Sequence, residues 1–535
     1  MTNLTELLGI AEKRAEGRPV LVYQGREWSH AELAAQSRRV AAGLKSLGVG
    51  KGDRVAIWLP NAPAYLAVFF ACARLGAIAL AVNTRYRSVE VGDIVSRAGA
   101  KAMIYWPDFK GIAFNEILAG IDPGELAGLE HLIVYSEDGA PAVSPVPEAT
   151  PVSYDDLAAH AELEEDHADD GLGCAIFTTS GTTSKPKFVL HHQSSIADHG
   201  LQIADSFGWR GEDVVHLLAM PYCGVFGLTQ SMGAIASGRT MVTMPYLDIP
   251  EAVRLMKAHR VTHTAGSDDM YAMMLEEAAG EQTPFPAFRS GIYALFNAAL
   301  EDIVERAEQR GMYITGVYGM SEVQALFTRW PDGSPVAVRK RGGGIPIAPT
   351  AAVRVRDPES GRLLGVGEPG ELEARGPSMM MEYFLNPEAT AKTLTDDGFI
   401  RTGDLAQMTE EGGFEYLSRM GDVLRLGGFL TAPAEIEARL LEHPSVKDVQ
   451  VVGANVGGRN RAVAFVIPAG AGYDEAAVIA HCAAGLAKYK VPARAVPLDA
   501  FPVTQSANGV KIQKAKLREM AGELDEEPRR RAGQG

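Results

Sequence analysis

Gly173-Cys174-Ala175-Ile176-Phe177-Thr178-Thr179-Ser180-Gly181-Thr182-Thr183-Ser184-Lys185-Pro186-Lys187-Phe188-Val189 is the stretch that decides the fold. Its apolar lead, Gly173 to Phe177, reads as a buried strand. Seven small or hydroxylated residues follow, then two lysines around a proline. Five hydroxyls in the six residues Thr178–Thr183, broken only by Gly181, offer many donors in a small space. Lys185 and Lys187 add positive charge, and Pro186 sharpens the turn. Oxyanions want a concave nest of donors, so this is the composition of a phosphate-holding loop. An ordinary Ser/Thr-rich surface loop is the plain alternative. It rarely combines a buried lead-in strand, this density of hydroxyls and two lysines. No Gly-Lys-Ser/Thr closes the stretch, so it is not a Walker loop.

At 535 residues the chain is long enough for more than one domain, and its 46% hydrophobic content can bury a large core. A formal net charge of -16 argues against nucleic acid or an anionic membrane as partner. Phosphorylated ligands stay open to it through local pockets. Cys72, Cys174, Cys223 and Cys482 have no metal-binding spacing and read as buried thiols of a reducing compartment. The N-terminus lacks a basic-then-apolar leader, and the longest apolar runs are too short to span a bilayer. A cytoplasmic protein is expected.

Upstream of the loop, helix and strand patterns alternate. Ser29 and Glu32 have capping-box spacing at a helix start. Asp53–Leu59, Ala77–Val82 and Lys101–Tyr105 read as strands, with an apolar helix from Ala64. Residues 136–170 read as a polar loop. Alternation resumes to Val317, which implies parallel sheets faced by helices. From Ala351 short strands and tight turns suggest an antiparallel β subdomain. A small α+β segment follows, with helices at Pro433–Leu441 and Ala476–Leu486, and residues 522–535 read as a disordered tail. Gly365-Val-Gly367-Glu-Pro-Gly370 fits a dinucleotide fingerprint but opens an alternating, strand-like stretch, so it is read as a β-turn.

The loop resembles the signature of the adenylate-forming superfamily of acyl-CoA ligases, adenylation domains and luciferases, roughly Thr-Ser-Gly-Thr-Thr-Gly-x-Pro-Lys-Gly. Ser180-Gly181-Thr182-Thr183 and Pro186-Lys187 match it, while Ser184 and Phe188 stand where that pattern has glycine. Tyr318-Gly319-Met320-Ser321-Glu322 resembles the superfamily's Tyr-Gly-x-Thr-Glu, placed where a strand's carboxyl end meets a turn. By that resemblance Tyr318 stacks on adenine, Ser321 lies beside the phosphate and Glu322 binds Mg²⁺. The same resemblance gives Asp404, in Thr402-Gly403-Asp404, as the carboxylate for the ribose hydroxyls. It also implies that Arg419 contacts the ribose and that Gly421 stands at or beside the hinge, and Gly427-Gly428 resembles the hairpin that meets the pantetheine arm. Lys511, in Pro502-Val-Thr-Gln-Ser-Ala-Asn-Gly-Val-Lys511-Ile-Gln-Lys514, takes the place of the catalytic lysine of adenylation. Five motifs occur in the family's order across nearly the whole chain.

The resemblance implies a large α/β domain with parallel sheets and a β subdomain, residues 1–420, and a small mobile α+β domain, residues 421–535, joined by a hinge. It implies an acyl-CoA ligase that uses a carboxylic acid, ATP, Mg²⁺ and CoA through acyl-AMP, as monomer or homodimer. Two further departures qualify this. Tyr222-Cys223-Gly224 lacks the family's pocket histidine. Phe296-Asn297 falls in the segment bordering the adenine pocket, where the family has Ser-Gly-Gly-Ala-Pro. Tyr222, Gly224 and Gly266 are assigned to the acyl pocket, and the small residues at Gly224 and Ala265-Gly266-Ser267 suggest a wide acyl site. The pattern is similar to actinobacterial ligases for bulky polycyclic acids, such as those of platensimycin-type diterpenoid pathways. Phe188, with a bulky ring close to where the β- and γ-phosphates would sit, and Ser184 imply impaired adenylation, with thioesterification of acyl-AMP made by a separate adenylating enzyme; the alternative is that Phe188 points into the core and the loop works normally. A normal two-step synthetase, a carrier-protein loader and a non-catalytic acyl-adenylate binder are the other readings.

Overall fold

A computed structural model describes residues 1–139, 141–179, 186–295, 300–426, 429–456, 459–486, 488–506 and 509–532. An eight-stranded sheet runs Glu382–Tyr383, Phe188–His192, Gly173–Thr178, Ile78–Ala81, Arg54–Trp58, Ala100–Tyr105, His131–Val134 and Thr150–Ser153 in spatial order. The strands from Gly173–Thr178 onward are mutually parallel, and the first two are antiparallel additions. The sheets are therefore mixed rather than purely parallel. Strand Phe188–His192 is the reason: it turns straight back on Gly173–Thr178, so the hydroxyl-rich loop joins two neighbouring antiparallel strands. Residues 136–170 also carry more structure than expected, with strand Thr150–Ser153 and helix Tyr154–Ala158.

A second hydrogen-bonded sheet of thirteen strands changes character along its width. Strand Ile314–Met320 is parallel to Ser290–Ala294 on one side and antiparallel to Gln324–Arg329 on the other. Beyond it lie Gly343–Pro346, Phe414–Arg419, Ile400–Met408, Gly370–Arg375 and Ala352–Arg356, all antiparallel. Tyr318 therefore sits on the strand where the α/β layer becomes the β layer. Helix Pro63–Leu75 is apolar almost all round, and nearly every residue of it is buried, as such a pattern requires. Ser29 and Glu32 form the expected capping box. Gly367, at φ +76°, makes the expected turn.

Downstream of residue 424, strands Val446–Val456, Arg459–Pro468 and Arg494–Pro497 form a small sheet. Strand alternation splits its core: Val449 and Val451 face Ile436 and Val478, while Val452 and Ala454 face Leu517 and Ala521. Residues 522–532 continue helix Lys514–Ala532, in place of the expected tail. All four cysteines are buried and free. Among the described residues no helix is long and apolar enough to cross a membrane.

Several histidines are buried in this core. His216 lies between the rings of Trp209, at 4.5 Å, and His263, at 5.8 Å, and neither of its ring nitrogens has a hydrogen-bond partner. Burial holds His216 well below the usual imidazole range and puts His191, His199 and His263 at about 4. The unfolded chain takes up these protons near pH 6.5 and the folded one does not. Stability is therefore full above that pH and lost as the pH falls toward 4. The urea midpoint is expected to fall from pH 7.5 to pH 5, and to fall less in His216→Phe. An unchanged midpoint across that range would contradict the assignment.

Candidate active site

The neck of the phosphate loop is a continuation of the strand pair. Thr178 pairs with Phe188, the Thr179 amide donates to the Lys187 carbonyl at 3.0 Å, and the Lys187 amide donates to Thr179 Oγ1 at 3.2 Å. Ser180, Gly181, Thr182, Thr183, Ser184 and Lys185 lie outside the described residues. Phe188 takes the second of the two placements open to it from the sequence, the core. It is 3% exposed and belongs to the core, with the Arg97 guanidinium 4.2 Å above its ring. Strand alternation sends its side chain inward. Its φ is not positive, so the position makes no demand for glycine. The steric ground for an impaired phosphate loop is thereby removed.

Tyr318 lies on the switch strand. Two glycines beside it are forced by close backbone approach: a Cβ on Gly316 would lie 2.4 Å from the Arg341 carbonyl oxygen, and one on Gly319 2.6 Å from Ala325 Cα. The strand runs on through Gly319 to Met320 with a bulge, so the turn comes later than expected, at Ser321–Val323. Glu322 is 7% exposed, and one of its carboxylate oxygens accepts from the Tyr383 hydroxyl at 2.7 Å. The Lys187 ammonium stands 4.4 Å over that same tyrosine ring. Behind this turn, His191 Nε2 meets the Ser321 carbonyl at 2.7 Å and His199 Nε2 the Ala325 carbonyl at 2.7 Å. Gln324 Nε2 donates to Ser195 O at 2.6 Å. These contacts hold a backbone that is strained at Gln324 (φ 65°) and Leu326 (φ 58°).

Asp404 arrives from strand Ile400–Met408 after Gly403, whose φ of +68° suits glycine. The register sets Asp404 opposite Arg419, and the pair closes at 3.0 Å. The Tyr318 hydroxyl donates to Asp404 Oδ2 at 2.5 Å, and Phe414 and Tyr416 pack on the Tyr318 ring. Burial pushes the Asp404 carboxyl up to about 6, although the Arg419 charge and the Tyr318 hydrogen bond pull it down. Asp404 Oδ1 touches Arg419 without a directed hydrogen bond, so it can still accept a donor. Glu322 contributes to the field at both Asp404 and Arg419, which places the two acidic groups in one electrostatic neighbourhood.

The acyl side departs from expectation. Tyr222 is 1% exposed, its ring edge-to-face with Tyr65 in the main core. Gly266 leaves no open volume, because a Cβ there would meet Met270 Cε at 2.1 Å. A small residue makes space only if no neighbour fills it, and Met270 does. Gly224 caps helix Val225–Ser237 and is buried. Phe296 and Asn297 lie outside the described residues, as do Gly427 and Gly428. Gly421 follows strand Phe414–Arg419, a Cβ there would meet open space, and its carbonyl accepts from Arg518 at 2.7 Å. Lys511 lies on strand Gly509–Ile512, paired with Thr504, and its side chain lies outside the described part.

This site joins an aromatic ring, a buried carboxylate paired with a half-exposed guanidinium, a second carboxylate and a loop lysine. Among the described residues no three His, Cys, Asp or Glu side chains converge on a metal. A single carboxylate suits Mg²⁺ carried by triphosphate oxygens, because that ion keeps most of its shell from phosphate and water. Tyr383 is the residue that sequence reasoning missed. Its one local signal is its place just before the Asn386-capped helix Pro387–Thr393, which says nothing of a partner 61 positions away.

The chain matches the profile of the AMP-binding enzyme family over residues 10–384, and that of the AMP-binding enzyme C-terminal domain over residues 435–508. It is 30% identical over 517 residues to the 3-[(3aS,4S,7aS)-7a-methyl-1,5-dioxo-octahydro-1H-inden-4-yl]propanoyl:CoA ligase of Mycobacterium tuberculosis, covering 94% of this chain and 95% of that one. It is also 30% identical over 512 residues to the 2-hydroxy-7-methoxy-5-methyl-1-naphthoate–CoA ligase of Streptomyces carzinostaticus, covering 93% and 89%. The crystal structure of ATP-bound MatB from Rhodopseudomonas palustris superposes with a TM-score of 0.84 at 26% identity, covering 98% of this chain and all of that one. The chain belongs to the AMP-binding enzyme family and is an adenylate-forming enzyme of the acyl-CoA ligase superfamily.

Proposed function

We propose that this enzyme makes an acyl-CoA thioester from a bulky carboxylic acid in two steps. The carboxylate first attacks the α-phosphorus of ATP, and pyrophosphate leaves. CoA thiol then attacks the acyl carbonyl of acyl-AMP, and AMP leaves. The observation that carries this is the Tyr318–Asp404–Arg419 chain and the Glu322–Tyr383–Lys187 chain, with Tyr318 and Tyr383 in one packed cluster. The first suits a nucleoside: the Tyr318 ring for adenine, Asp404 and Arg419 for the ribose. The second suits phosphates: Lys187 for oxyanion charge, Glu322 for the Mg²⁺ that rides on them, with Ser321 beside the α-phosphate. Thr179 to Lys185 would hold the β- and γ-phosphates, and Lys511 would neutralise the carboxylate as it attacks.

Residues 1–420 would carry the adenylate, and residues 421–535 would turn about Gly421 between the steps, bringing Gly427-Gly428 to CoA. The two CoA ligases above are named for fused-ring acids, and Gly224 in place of an imidazole agrees with a bulky substrate. Met270 at Gly266 need not oppose this, since methionine repacks easily.

A second reading, thioesterification of supplied acyl-AMP only, keeps one observation in its favour, Ser184 in place of glycine. Pyrophosphate release with a panel of fused-ring and linear acids separates the two. Robust release by the wild type, and no gain in Ser184→Gly/Phe188→Gly, is expected. Release in the double variant alone would overturn the two-step reading, and acyl-AMP with CoA would then measure the step that remains.

A further inference from the structure

Arg97 stands outside every motif used above, yet it touches the phosphate loop. It lies in the last turn of helix Ser88–Ala98. Its Nε and Nη2 donate to Asp93 Oδ2 at 2.9 and 2.7 Å, which fixes the plane of the guanidinium. The same Nη2 donates to the Pro186 carbonyl at 3.0 Å, and the guanidinium carbon lies 4.2 Å over the Phe188 ring. One cation therefore grips residues 186 and 188, on either side of Lys187. From the other side, the Phe384 amide donates to the Phe188 carbonyl at 2.8 Å, and Tyr383 lies under the Lys187 ammonium. Lys187 is the residue held between.

We infer that Arg97, clamped on Phe188 and the Pro186 carbonyl, is a positioning residue that sets Lys187 for the triphosphate. This rests on the adenylating reading above. It also gives the Phe188 departure a use: a glycine at 188 would offer the guanidinium no ring, and here the ring face supplies an anchor. A planar cation over an aromatic face resists sliding, and a hydrogen bond to a carbonyl fixes distance. Together they limit how far the Pro186–Phe188 shoulder moves when phosphate binds, so less ordering is left for the ligand to induce.

The test uses the full-length protein, with Arg97→Met, Arg97→Lys and Phe188→Gly made singly and Arg97→Met combined with Phe188→Gly. ATP–Mg²⁺ and AMP binding are read by calorimetry, and the two half-reactions separately. In Arg97→Met, Kd and KM for ATP are expected to rise about tenfold. AMP affinity and thioester formation from supplied acyl-AMP should stay within about twofold, since AMP has no β- or γ-phosphate. Arg97→Lys should recover part of the loss, and Arg97→Met should cost less once Phe188 is glycine. Equal loss for ATP and AMP would mean a general packing defect and overturn the inference, as would an unchanged ATP Kd. A wild type that binds ATP but releases no pyrophosphate would defeat the two-step reading alone, with the binding comparison still deciding the role of Arg97.

Discussion

Lys511→Ala is expected to slow acyl-AMP formation by about 10²–10³-fold, because one positioned charge opposite a developing oxyanion is typically worth that much. Thioester formation from supplied acyl-AMP and CoA should change by less than about tenfold, since no triphosphate is present and the leaving group is AMP. Lys511 sits on a hairpin with Thr504, just before helix Lys514–Ala532. Lys514 and Arg518 in that helix are engaged with Glu437 and Asp422, and so serve to seat the helix. Single-turnover rates of each half-reaction decide it. Equal losses in both would remove Lys511 from a role in one step, and with it the division of labour between two conformations.

Asp404→Ala should weaken AMP and acyl-AMP alike. A hydrogen bond to a charged group is worth about 1.5–3 kcal/mol, or roughly ten- to a hundredfold in Kd. The loss also leaves Tyr318 and Arg419 without their shared partner. Burial raises the Asp404 carboxyl to about 6, so it is ionised at pH 7.5 and takes up a proton below pH 6. A neutral carboxyl is the poorer acceptor, so affinity should fall as the pH is lowered from 7.5 to 5. Adenosine is the ligand to use, because a phosphate monoester itself titrates near pH 6. Asp404→Asn should bind weakly with a flat profile. Unchanged affinity in Asp404→Ala by calorimetry would take Asp404 out of the site, and a pH slope surviving in Asp404→Asn would assign the titration elsewhere.

What sequence alone determined is whatever rests on near neighbours. The Ser29–Glu32 cap, the Gly367 turn, the apolar helix at Pro63 and the alternation of strand and helix are all set within a few residues, and all stand in the structure. So does the order of the motifs, because chemistry of this kind needs particular side chains at short spacings. What tertiary structure decided rests on pairings that no local window contains. Phe188 could obstruct phosphate or fill the core until its strand was seen to pair back onto Gly173–Thr178, which turned the ring into the core under Arg97. Gly266 looked like open space until Met270 was seen to fill it. Tyr383 had no chemical signal at all until folding brought it to Glu322 and Lys187. The direction of a side chain follows from which strand lies beside it. That neighbour is chosen by closing long loops over a shared core, a sum over the whole chain that local propensity does not encode.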